Sequence, residues 1–76
     1  MDKNKNLTIN EIFELAVLNH QKNELGDAKK FYNQILIRDP NHLSSLNNLG
    51  SISKTLGEPQ KAISYFEKAI EIDSNS

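Results

Sequence analysis

The sequence predicts an all-α fold, four antiparallel helices forming two helix–turn–helix repeats of a solenoid. Three observations carry that expectation. Sliding the chain 34 residues along itself pairs Leu15 with Leu49, Glu24 with Glu58, Ala28 with Ala62 and Asp39 with Asp73, with like apolar residues matched around them and no gap. Within each unit the apolar residues recur at helical spacing. Helix breakers also stand at matching places, Asn23 against Gly57 inside the units and Asp39–Asn41 between them. The chain therefore divides into a polar tail over 1–8, a first unit over 9–42 and a second over 43–76.

The first helix is expected to open at Thr8. "TINE" puts Glu11 three residues after a hydroxyl, the spacing at which two side chains cap each other's backbone amides. Ile9, Ile12, Leu15, Ala16 and Leu18 then form one apolar face. A turn over Asn23–Gly26 leads into a second helix, Asp27–Arg38, with Ala28, Phe31, Tyr32, Ile35 and Leu36 as its stripe. Pro40 ends it, because proline disfavours helix in the residue before it. Leu43, Leu46, Leu49, Gly50 and Ile52 line the third helix, and Gly57 breaks it. Pro59 suits the first turn of the fourth, where no amide donor is needed. Ala62, Ile63, Phe66, Ala69 and Ile70 carry its stripe, and the closing "SNS" reads as a frayed tail. Asn23 and Gly57 correspond because both residue types accept a left-handed turn conformation.

The small residues Ala16 and Gly50, Ala28 and Ala62, with the large Tyr32 and Phe66 and the Pro40 between units, resemble the tetratricopeptide repeat in their spacing. The resemblance covers nearly the whole chain and implies two repeats of a right-handed α–α superhelix. It also implies a protein–protein interaction scaffold that binds a peptide or partner protein in its concave groove, with no reaction of its own. Asn19 and Ser53 stand where the family usually has an aromatic, Ser74 where it has a closing proline, and Ile35 where it has a small residue. The alternative implied by the resemblance is an amino-terminal adaptor of a larger enzyme such as a glycosyl- or sulfotransferase.

Composition narrows the chemistry. With no cysteine, neither disulfides nor thiolate chemistry is open to the chain. A net charge of -1 gives no cationic footprint for nucleic acid. No long apolar run suggests a signal segment or a membrane span, so the expected home is the cytoplasm. His20 and His42, without cysteine or clustered carboxylates, make a poor metal site, and each is expected to be solvated, His42 in a loop. Ser44, Ser45, Ser51 and Ser53 have no base and orienting acid arranged with them in sequence. No catalytic residue, metal or cofactor is therefore assigned.

The candidate site is the groove lined by the first helix of each unit. Its contact residues are Asn10, Phe13, Val17 and His20 in the first unit and Asn47, Asn48, Ser51 and Lys54 in the second. Asn48 is the sharpest of these, since an amide side chain offers both a donor and an acceptor to a peptide bond. The "NNLG" run resembles units in which an asparagine holds a bound peptide backbone, but Glu14 stands in the matching place of the first unit. Phe13 and Val17, one turn apart and off the core stripe, suggest an apolar spot for a partner side chain. With two units and no capping helix, Ile63, Tyr65, Ile70 and Ile72 are expected to form an exposed C-terminal stacking edge, open to self-association.

Overall fold

The computed structural model describes residues 7–74, so most of the expected polar tail and the last two residues of "SNS" lie outside the described residues. Four helices follow one another, α1 (Ile9–Gln21), α2 (Leu25–Arg38), α3 (Leu43–Thr55) and α4 (Pro59–Ser74), and the described residues contain no strand. Helix α1 packs on α2, α2 on α3 and α3 on α4. The order in space is the order in sequence, as in a repeat stack.

The helix ends follow from local chemistry. The Thr8 side chain accepts from the Glu11 amide at 3.1 Å, and the Glu11 carboxylate accepts from the Thr8 amide at 2.9 Å. This is the expected capping box, and it satisfies two otherwise orphaned donors. The Arg38 guanidinium reaches back from the end of α2 to the Leu7 carbonyl at 2.6 Å, fastening the entry to α1.

Both hairpins turn in the same way. Asn23 has φ 62° and Gly57 φ 76°. In the first turn the Glu24 amide donates to the Asn19 carbonyl and the Asn23 amide to the His20 carbonyl; in the second, Glu58 donates to Ser53 and Gly57 to Lys54. This paired 6→1 and 5→2 closure needs a left-handed residue just after the helix. The closure also corrects one expected boundary. Glu24 already stands at the N-cap position of the next helix, so α2 starts at Leu25 rather than Asp27, and Gly26 lies inside its first turn instead of in the loop.

The core is one cluster of Ile12, Ala16, Ala28, Tyr32, Ile35, Leu49 and Ile52, all essentially inaccessible to solvent. The small positions act as spacing predicts. A Cβ built on Gly50 would lie 2.6 Å from Cε1 of Phe66, so only glycine lets α3 and α4 approach this closely without moving that ring. Ser53, in the place where an aromatic was missing, is fully buried, and its hydroxyl has no hydrogen-bond partner.

Candidate protein-interaction groove

Tyr32 projects from α2 into the space between α1 and α3, its side chain wholly buried. Its hydroxyl is met from both sides. The Asn48 side-chain amide donates to it from α3 at 3.0 Å, and Nδ1 of His20 approaches it from α1 at 3.3 Å. Both rings from α1 stand edge-on to the tyrosine, Phe13 with centroids 5.8 Å apart and His20 at 6.1 Å. Such edge contacts place the positive ring edge against a π face and fix ring orientation. Burial pushes the Tyr32 phenol above its ordinary value, and the hydrogen bond from Asn48 partly offsets that shift.

His42 extends the cluster. It is the N-cap of α3, its Nδ1 accepting from the Ser45 amide at 3.3 Å and lying 2.8 Å from the Ser45 hydroxyl, while its ring packs on Phe13 at 5.4 Å. The residue expected to be a solvated loop histidine is therefore a structural cap joining α1 to α3. Ser45 is fully buried beneath it, so this serine–histidine contact serves helix capping.

The structure brings together some of the expected groove residues and separates others. Asn48, His20 and Phe13 converge on Tyr32. His20 is half-buried against the tyrosine, which corrects the expectation that it is solvated. Helical periodicity puts Phe13 off the core stripe, yet it is half-buried and packed on the core, because the imidazole of His42 packs against its ring. Val17 is half-buried, and Asn10, Ser51 and Lys54 are exposed. Asn47 lies apart, lining a shallow pocket with Leu43, Ala69, Ile70 and Asp73.

Along α4, Ile63 is 49% exposed and Ile70 65%, whereas Tyr65 and Ile72 are half-buried. Tyr65 rests on the core cluster, which corrects the expectation that its ring faces water.

Tyr32 is the residue of the candidate site that spacing alone misses. A signal for it is nonetheless present. The first unit reads Phe31-Tyr32 and the second Tyr65-Phe66, so only the first unit puts a phenol at the buried position. A buried tyrosine hydroxyl needs partners, and here they come from the two flanking helices.

Two stacked helical hairpins, with polar and aromatic side chains gathered between their first helices, define an α-helical repeat module. Residues 43–76 match the family model described as the tetratricopeptide repeat. Over that second hairpin the chain is similar to the tetratricopeptide repeat. It is also similar to the uncharacterized protein ycf37 of Pyropia yezoensis, 29% identical over 72 residues, a match that covers 93% of this chain. The chain spans about 40% of the length of that relative. Among the described residues no group of three or more histidine, cysteine, aspartate or glutamate side chains could hold a metal, and no helix is long and apolar enough to cross a membrane.

Proposed function

We propose that this chain holds an extended segment of a partner protein in the hollow between α1 and α3, within a cytoplasmic protein–protein interaction scaffold built of units 9–42 and 43–76. Asn48, His20 and Phe13 form the centre of the contact, with Asn10, Val17, Ser51 and Lys54 around them. The observation that carries this reading is the convergence of Asn48 and His20, from different helices, on one buried tyrosine hydroxyl. Fixing polar side chains before a ligand arrives lowers the entropy lost on binding.

The test is capture of partner proteins by the immobilised 76-residue chain, each captured protein being identified by mass spectrometry and then titrated in pure form. Asn48→Ala is expected to weaken its binding about fivefold or more, the size of one hydrogen bond, and Phe13→Ala to weaken it further. Both variants binding as tightly as the wild type would contradict the reading.

A second contact is favoured by the exposure of Ile63 and Ile70. We propose that these residues let the C-terminal edge associate with a second copy of the chain.

A further inference from the structure

The hydroxyl of Tyr32 does more than fill the gap between helices. Asn48 Nδ2 donates into its oxygen, so the phenol proton is free for its other neighbour, Nδ1 of His20. If the phenol gives that proton to His20, Nδ1 is the acceptor and the ring proton sits on Nε2. The carbonyl oxygen of the Asn48 side chain is left over in the same way. Among the described residues neither Oδ1 of Asn48 nor Nε2 of His20 has a hydrogen-bond partner in the protein, and neither is among the buried atoms that lack one, the Ser53 hydroxyl and Glu58 Oε1. Both therefore keep contact with solvent, and with the His20 proton on Nε2 one is an acceptor and the other a donor.

We propose that Tyr32 is a positioning residue whose hydroxyl sets Asn48 and His20 as a matched acceptor and donor for the main-chain N–H and C=O of one residue of an extended peptide. The ligand N–H would meet Oδ1 of Asn48, and a ligand carbonyl would meet the Nε2 proton of His20. Without the phenol the Asn48 amide is free to flip and the His20 proton to change nitrogen, so the pair loses its polarity. The relay also sets selectivity. An outward amide oxygen repels a carboxylate, so the site favours an uncharged amide over an anion. The unit-two counterparts cannot repeat the device, since Phe66 has no hydroxyl and stands where Tyr32 does one unit earlier.

This inference rests on the groove reading above, and two readouts separate their failures. Long-range nitrogen–proton spectra of the wild-type chain at pH 8 give the His20 tautomer without any variant or ligand. Titration with N-acetylglycine N′-methylamide, a peptide with no side chain, then reports binding through the Asn48 side-chain amide signals, with acetate as the anionic comparison. The expected results are the Nε2–H tautomer, shifts at Asn48 with the blocked glycine and none with acetate, and a Tyr32→Phe variant that keeps its helicity but binds about fivefold more weakly. A His20 proton on Nδ1, stronger binding of acetate, or unchanged binding by Tyr32→Phe would overturn the inference while leaving the groove reading standing. The expected tautomer with no response to the blocked glycine would overturn both.

Discussion

Single atoms decide how closely these helices approach and what faces the groove. Gly50 is the clearest case, because an added methyl would meet the Phe66 ring at 2.6 Å. Alanine is the better helix former by about 1 kcal/mol, but overpacking costs about 1–3 kcal/mol. Gly50→Ala is therefore expected to lower stability in urea unfolding, and a stabilised variant would mean that the ring yields freely. Ser53 gives the opposite expectation. Its buried hydroxyl has no partner, so Ser53→Ala should be neutral or stabilising by about 0.5–2 kcal/mol, read from the same transition. Tyr32 adds a pH dependence. Its folded-state pKa lies above the ordinary 10.0, so the unfolded chain loses that proton first. The neutral phenol's contribution is complete below pH 10.0 and falls away above it, and the fall should be smaller in Tyr32→Phe. Periodicity made the Gly50–Phe66 packing legible because a small residue facing a large one is a property of two stripes. The Tyr32 relay was not legible in the same way, because its partners are set by how α1 and α3 are rotated about α2.

At the scale of the element, the two turns show why this sequence stops its helices where it does. Each hairpin closes with one left-handed residue and the same pair of backbone hydrogen bonds, and the corresponding residues Asn23 and Gly57 stood out in the sequence for that reason. A side chain in this conformation costs about 1 kcal/mol, so Gly57→Ala should destabilise by about that amount. An unchanged melting temperature would argue that the α3–α4 turn relaxes to another form. Thr8→Ala removes one half of the capping box and should cost about 1 kcal/mol of stability. Sequence signals place the start of α2 two residues late because glycine at position 26 resembles a turn residue. The closure of the preceding helix, which overlaps the next one by a shared Glu24, is what fixes that start. Burial of Phe13 escaped the sequence for a related reason, since the ring that covers it belongs to the cap of a different helix.

Over the whole molecule, the spacing of 34 lets one half report on the other. Ile52 is fully buried at the α2–α3 junction, while its counterpart Leu18 is 48% exposed. Leu36 is half-buried at that junction, while its counterpart Ile70 is 65% exposed. The two outer surfaces are thus the two sides of the internal junction, left apart. Head-to-tail stacking of copies would put Glu11 where Ser45 is fully buried, and burying a carboxylate there without a countercharge is costly. Contact of α4 with α4 of a second copy avoids that cost, so Ile70→Glu is expected to shift the chain toward monomer in sedimentation velocity. A wild-type chain that stays monomeric at all concentrations would remove the edge contact. The groove is tested most directly by mapping amide shifts on the labelled chain as a purified, identified partner peptide is added. Shifts centred on Phe13, His20, Tyr32 and Asn48 are expected; shifts confined to Ile63 and Ile70 on α4 would contradict the groove as the binding surface.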